Sequence, residues 1–291
     1  MIVFAVVLYR MRWADSATLR SLGACLSTLP GLDWRILLLD NSGPGYASPL
    51  ALAESGRLDV QVFASNLGLA SAYNHALAYS RARGADCLVT LDQDSEITPD
   101  YLQALAGAQA RLTGRTVALC PTVVSNGRVV SPFRMNAAGL PRYGAGPGAL
   151  SAINSFSAYA VDYLAQAGGF DEFYWLDGLD FAVYAAIQRA GYCVEMLDCT
   201  VQHALSLVSG GVGLGRMVNL MAYEAAFLFE YCRPLQIGGG VARLLARAVR
   251  PYRHGLPYAA IAPVLRAVLK GARQGWRRRA SSKAKGGPRC A

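Results

Sequence analysis

Two carboxylates separated by one residue, Asp92 and Asp94, follow directly on the apolar run Cys87-Leu88-Val89-Thr90-Leu91. A mostly apolar run this short suits a buried strand better than a buried helix. The acids then stand at the strand's carboxyl end, the edge of an open parallel sheet where ligands bind. Carboxylates held this close repel one another until a cation or a ligand hydroxyl engages them, so a hard divalent ion carrying substrate phosphates is their natural partner. An isolated Asp-x-Asp is also common in ordinary turns, and its weight here comes from what accompanies it. Asp40 closes a second apolar run, Arg35–Leu39. Asp177 and Asp180 lie in an acidic and aromatic segment over residues 170–180, and His203 follows a later strand-like stretch.

The elements that must position these groups are legible as alternating periodicities. Over the first 120 residues strand-like and helix-like segments alternate, the signature of an α/β fold with a doubly wound, mostly parallel Rossmann-like sheet flanked by helices. Ile2–Tyr9 reads as the first strand and not as a signal-peptide core, since no basic flank precedes it and no small-residue cleavage site follows. Asp15 or Ser16 caps a helix to about Leu29, and Val60–Phe63 is a third strand. Asn66-Leu67-Gly68 leads into a helix with Leu69, Tyr73, Ala76 and Leu77 at helical spacing. Pro99 opens a helix to about Arg111, and Thr116–Val124 is a fifth strand. Residues 125–150, interrupted by glycine and proline, read as a mobile loop or small hairpin near the site. Ala158–Ala167 and Leu179–Arg189 read as helices, Tyr192–Leu197 as a strand, and the chain from Arg216 as helical.

With 291 residues, 53% of them apolar and 16% charged, the chain folds and is not disordered. Its net charge of +9 is segregated, because residues 233–291 hold 14 of the 28 Lys and Arg and none of the 19 Asp and Glu. Arg243, Arg247 and Arg250 fall opposite Leu244, Leu245, Ala248 and Val249. Arg266, Lys270, Arg273 and Arg277 fall opposite Ile261, Val264, Leu265, Val268 and Leu269. Basic amphipathic helices of this kind suit an anionic membrane surface, with packing on the body or on a partner as the alternative. Nucleic acid is disfavoured, because no aromatic residues interleave for base stacking and no reader motif is present. No segment offers the ~20 uninterrupted apolar residues of a transmembrane helix. Residues 280–291 read as disordered. Seven cysteines without Cys-x-x-Cys spacing suit reduced core thiols of a cytosolic protein.

In this order the motifs resemble the family 2 glycosyltransferases, inverting enzymes of GT-A fold, and most of all their rhamnosyltransferase-type branch. The matching residues are Val7-Leu8-Tyr9-Arg10, Leu39-Asp40-Asn41-Ser42, Asn66-Leu67-Gly68-Leu69-Ala70 with Asn74, Leu91-Asp92-Gln93-Asp94-Ser95, Gly168-Gly169-Phe170-Asp171-Glu172, Trp175-Leu176-Asp177-Gly178-Leu179-Asp180 and His203, together covering about residues 2–230. The resemblance implies a GT-A domain over 1–232, with a nucleotide-sugar half over about 1–124 and an acceptor half over about 150–232. A basic helical tail over 233–291 follows it.

By the same resemblance Asp40 accepts a hydrogen bond from the donor's nucleobase, Asp92 holds the ribose with Gln93 beside it, and Tyr9, Asn66, Gly68 and Asn74 contact the donor. Asp94 and His203 hold Mn2+ or Mg2+ on the diphosphate. Asp180 is the implied general base, with Asp177 as the alternative, and Tyr174 and Trp175 offer a stacking face to the acceptor. The residues by themselves leave Asp40 and Asn66 open as turn or helix caps and His203 as an ordinary polar residue. Two departures stand out: Phe156 would narrow the space beside the donor sugar, and Phe181 replaces a polar residue among the acceptor contacts.

The implied reaction moves rhamnose from dTDP-rhamnose to a hydroxyl of a polysaccharide or lipid-linked glycan, at the cytoplasmic face of the inner membrane. A nucleotidyltransferase would want a glycine-rich phosphate loop where Tyr9-Arg10-Met11-Arg12-Trp13 stands. A catalytically inactive nucleotide-sugar-binding scaffold would not need Asp92, Asp94, Asp180 and His203 all intact.

Overall fold

The computed structural model describes residues 1–144, 146, 149–203, 214–249 and 261–284. β1 (Ile2–Leu8), α1 (Ala17–Leu26), β2 (Trp34–Asp40), β3 (Leu58–Val62), α2 (Leu69–Ala82), β4 (Cys87–Asp92), α3 (Pro99–Ala108) and β5 (Thr116–Ser125) alternate as the periodicity predicts. They are followed by β6 (Arg128–Ser131), a hairpin of β7 (Phe133–Met135) and β8 (Pro141–Tyr143), β9 (Ser157–Ala160), α4 (Val161–Gln166), α5 (Leu179–Arg189) and β10 (Cys193–Gln202). Three helices, α6 (Leu214–Tyr231), α7 (Pro234–Val249) and α8 (Ile261–Ala284), complete the described chain.

The sheet runs β10-β5-β9-β4-β1-β2-β3, with β6 paired to β5. β1 is parallel to β2 and β4, β2 to β3, and β5 to β10. Every residue of β1 is buried, as is β4 up to Asp92, which is why both read as unbroken apolar runs. Val7 pairs with Leu39 on one side and Asp92 on the other, and Leu8 with Asp40. This register ends β1, β2 and β4 level with one another and brings their terminal residues to one edge.

Two expectations are corrected here. The helix expected over Ala158–Ala167 begins only at Val161, and its expected start is instead strand, Ser157–Ala160 running antiparallel to both β4 and β5. Without it the facing edges of those strands would leave buried backbone groups unpaired, a cost that outweighs the helix preference of a short alanine-containing run. α8 continues through residues 280–284, where disorder was expected, because its last turns are tied down. Arg279 donates to the carbonyls of Phe229 (3.3 Å) and Cys232 (2.8 Å), and Arg278 pairs with Glu230 (2.7 Å) and Asp171. Residues 285–291 and Arg250 lie outside the described residues. The six described cysteines are all free, four of them buried. No helix of the described residues is long and apolar enough to cross a membrane.

α8 lies along α6 at close range. A Cβ added at Gly271 would overlap the Ala222 carbonyl, and one at Gly275 the Ala226 carbonyl. The shared spacing of four places each pair of small residues on one helix face, so the backbones touch where side chains would otherwise hold them apart. Gly271→Ala should therefore lower unfolding stability by about 1–3 kcal/mol. Gly107→Ala, at an exposed position of α3 with nothing within 4 Å of the new methyl, should be neutral or stabilising by up to about 1 kcal/mol. Urea denaturation of the two variants checks this, and a Gly271→Ala variant as stable as wild type would contradict the close packing.

Candidate active site

At the carboxyl edge of the sheet a cleft of about 660 Å3 opens between β1, β4, the start of α5, the end of β10 and the first turns of α6. Tyr9, Asn66, Gly68, Asp92, Gln93, Asp94, Trp175, Asp177, Asp180 and His203, all nominated from sequence, line it. Asp40, Asn74 and Tyr174 do not.

The acidic turn is fixed by α1. Thr18 Oγ1 donates to the Asp92 carbonyl (2.5 Å) and accepts from the Ser95 N–H (2.8 Å), while Ser16 Oγ donates to the Gln93 carbonyl (2.8 Å). Gln93 turns its side-chain oxygen to the Tyr9 N–H (2.8 Å). His203 reaches the same place from β10, its N–H bonded to the Val124 carbonyl (3.0 Å) and its backbone bridged to Ser95. One ligand atom from each of Asp92, Asp94 and His203 lies within 4.8 Å of the other two, and His203 Nε2 is 3.7 Å from Asp92 Oδ2. Burial holds the Asp92 carboxyl above the ordinary range, His203 opposing and Asp94 adding to the shift. Two carboxylates and an imidazole fit a six-coordinate divalent ion, leaving positions for phosphate oxygens and water. The structure thus adds Asp92 to the candidate ligands, where the sequence offered it for ribose.

Two asparagines of this region, Asn41 and Asn74, act as staples. Asn41 donates to the Gly68 carbonyl (3.0 Å) and accepts from the Leu67 N–H (3.1 Å), holding the entry to α2 against the end of β2. Asn74 instead donates to the Phe170 carbonyl (2.9 Å) and accepts from its N–H (2.7 Å), outside the cleft. Gly68 has φ +84°, and a Cβ there would overlap the Trp175 indole; the Leu69 N–H donates to the Trp175 carbonyl (2.8 Å). Asn66 accepts from the Gly68 N–H (2.9 Å) in the turn ahead of the helix. Asp40 is buried, its carboxylate taking the Trp13 indole N–H (2.7 Å) and the Ser42 N–H (2.9 Å).

Neither Asp177 nor Asp180 caps α5. Gly178 does, in a left-handed conformation, and Asp180 stands in the first turn with the Phe181 N–H on its Oδ1 (3.1 Å). Burial pushes the Asp180 carboxyl up to about 6; that backbone bond opposes the shift, and the charges of Asp177 and Asp92 reinforce it. Asp177 is also raised by burial, but Arg216 of α6 lies 3.8 Å away and counters it. Trp175 is 39% exposed and lines the cleft. Tyr174 is corrected as an acceptor contact: it is fully buried, its hydroxyl donating to Glu230 (3.0 Å). Phe156 is corrected too, for it is buried behind the site, edge-on to Tyr101 and His203, and does not narrow the cleft. Phe181 does line the cleft.

Sequence reading missed Asn41, Asn154, Ser155, Arg216, Asn219 and Tyr223, all lining residues. Asn41 stood inside the quoted stretch Leu39-Asp40-Asn41-Ser42, but nothing in its type marked it. The α6 residues recur at i, i+3 and i+7, one helical face, yet no motif announced that this face closes a cleft.

Solved glycosyltransferases share this architecture. GalNAc-T7, with UDP, GalNAc and Mn2+, superposes with TM-score 0.58 at 12% identity over 99% of this chain, which spans 58% of that one. Residues 1–349 of S. aureus TarS superpose with TM-score 0.58 at 12% identity, over 98% of this chain and 91% of that one. The same TarS segment in complex with UDP-GlcNAc gives TM-score 0.58 at 11% identity, over 98% and 92%. No curated protein matches by sequence. The fold is that of the GT-A glycosyltransferases. Residues 14–152 match the family described as Glycosyl transferase family 2.

With Asp180 as the general base that the resemblance implies, the raised carboxyl must lose its proton before it can act, so kcat/KM should fall with a one-proton limb as pH drops through about 6. Asp180→Asn should lower kcat by about 10²–10⁴. Because burial disfavours the ionised carboxylate, the charge costs folding stability at pH 7, and the variant should melt no lower than wild type. Initial rates against pH and a thermal melt check both; a flat profile down to pH 5 would contradict the assignment.

Proposed function

We propose that the chain transfers a sugar from a nucleoside diphosphate donor to a hydroxyl of a glycan acceptor, with inversion at the anomeric carbon. The observation that supports this most is the meeting of Asp92, Asp94 and His203 with Asp180 in one cleft at the carboxyl edge of the sheet.

The acceptor hydroxyl is positioned at the Asp180 carboxylate and stacks its ring on Trp175. As the acceptor oxygen bonds to the anomeric carbon from one face, the bond from that carbon to the diphosphate oxygen breaks on the other. The hydroxyl proton passes to Asp180, and the nucleoside diphosphate leaves with the bonding electron pair. Asp180 suits this role better than Asp177, since no cation holds its basicity down while Arg216 stands beside Asp177. Asp92, Asp94 and His203 would hold a divalent cation, which supplies charge neutralisation for the departing diphosphate. The imidazole among the donors favours Mn2+ over Mg2+. On the donor side Tyr9, Gln93, Asn66 and Gly68 shape the wall around the nucleoside. Asp40 reaches a nucleobase only by exchanging its bond to Trp13, and Asn74 supports the site from outside it.

We favour dTDP-rhamnose as donor, on the likeness of Leu91-Asp92-Gln93-Asp94-Ser95 to the rhamnosyltransferase-type branch. A polysaccharide or lipid-linked glycan at the cytoplasmic face of the inner membrane is the favoured acceptor, with the tail over 233–291 as the part that meets the membrane. Calorimetry with dTDP, UDP and GDP, with and without Mn2+, tests the donor reading. One nucleotide should bind in a metal-dependent way, and Asp94→Ala should weaken it at least tenfold. Binding of none of the three, or binding untouched by Asp94→Ala, would overturn it.

A further inference from the structure

The basic tail does not present its charge as two equivalent helices. On α7, Arg243 and Arg247 turn inward, both pairing with the same Glu224 of α6. On α8, Arg278 is likewise drawn inward to Glu230 and Asp171, its guanidinium 4.4 Å over the Phe173 ring. Arg266, Lys270, Arg273 and Arg277 are different: all four are exposed, and none meets a carboxylate among the described residues.

Beside those four lie the large apolar side chains that α8 leaves uncovered, Leu265 (37% exposed), Leu269 (60%) and Trp276 (66%). At about 100° per residue the three fall within about 40° of one another and the four cations within about 60° on one side of them. Val264, Ala267, Val268, Gly271 and Gly275, which pack on the body, lie away from both. α8 thus has three faces in sequence around its axis: docked, apolar and exposed, cationic and exposed. No acidic residue follows Glu230 anywhere in the sequence.

We propose that the outward arc of α8, Leu265, Leu269 and Trp276 bordered by Arg266, Lys270, Arg273 and Arg277, is a docking face for an anionic lipid bilayer. A bilayer takes both halves of the arc at once, the Leu and Trp side chains at the boundary of head groups and acyl chains and the cations at the head-group phosphates. Nucleic acid would use the cations and leave the leucines in water. A second copy of this chain would set four cations against four, a repulsive pairing. The proposal rests on the reading of a membrane-borne acceptor and gives it a location. Through Arg278 the same helix holds the segment that leads to Trp175, Asp177 and Asp180, so lipid contact sits one helix away from the acceptor side of the cleft.

Sedimentation of the full chain with vesicles of neutral phosphatidylcholine, and of phosphatidylcholine mixed with phosphatidylglycerol, tests it. The wild type should partition strongly to the anionic vesicles and weakly to the neutral ones. Each cation near such a surface contributes about fivefold, so the quadruple change R266Q, K270Q, R273Q, R277Q should lower partitioning more than a hundredfold. The double change Leu269→Ala, Trp276→Ala should lower it at least tenfold. Nucleoside diphosphate binding in the presence of Mn2+ should be unchanged in both variants, which shows that they fold. A wild type that stays in solution with anionic vesicles overturns the proposal, as do variants that sediment like wild type. Vesicle binding indifferent to the Leu269 and Trp276 changes, with equally tight binding to duplex DNA, overturns it in favour of a polyanion site. Vesicle binding without any nucleotide binding would leave the docking face standing and remove the donor reading alone.

Discussion

Negative charge crowded into one cleft is the constraint around which the rest of this structure is arranged. Asp92, Asp94, Asp177 and Asp180 face a common space, and the described lining residues set only Arg216 and His203 against them. Burial raises Asp92, Asp177 and Asp180 above the ordinary carboxylate range. Such an arrangement is stable only if the backbone fixes the acids where they would not settle by themselves, and it is useful only if a cation or a proton is delivered there.

The fixing is done by strands that have no freedom to shift. β1 and β4 are buried on both faces, and a slip of one residue would draw the Asp92 carboxylate into the core and cost the register that puts Val7 beside it. From that rigid edge the turn carrying Asp94 is held by Thr18 and Ser16, and the entry to α2 by Asn41. Gly68 lets the Trp175 indole press against the backbone, so that the walls of the cleft from the entry to α2 and from the segment ahead of α5 touch at one point. The segment ahead of α5 is braced in turn from behind by Tyr174, Glu230 and Arg278, the last of these from the helix that ends the described chain.

Much of this was legible in the sequence because the relevant elements are extreme. A strand buried on both faces reads as an unbroken apolar run, and an acid directly after it marks the ligand edge; α5 was placed at Leu179–Arg189 from its pattern alone. What stayed hidden depends on tertiary company. Ser157–Ala160 became a strand because two strand edges needed a partner, which local propensity does not encode. Tyr174 looked like a sugar platform by type and position, yet its ring went to the core while its neighbour Trp175 stayed among the cleft's lining residues. The cationic faces of the tail were visible as faces, but whether they met water or the inward-facing carboxylates Glu224 and Glu230 was decided by helix packing.

The central claim is that Asp92, Asp94 and His203 together hold one divalent cation against the donor's diphosphate. Electron paramagnetic resonance of Mn2+ with the full chain and its nucleoside diphosphate reads this directly, since pulsed detection reports the nitrogen of a coordinated imidazole. The account predicts one bound Mn2+ with nitrogen coupling, which His203→Ala abolishes while Asp94→Ala releases the ion. A free Mn2+ spectrum in the presence of saturating nucleotide, or a bound ion whose nitrogen coupling survives His203→Ala, would contradict it.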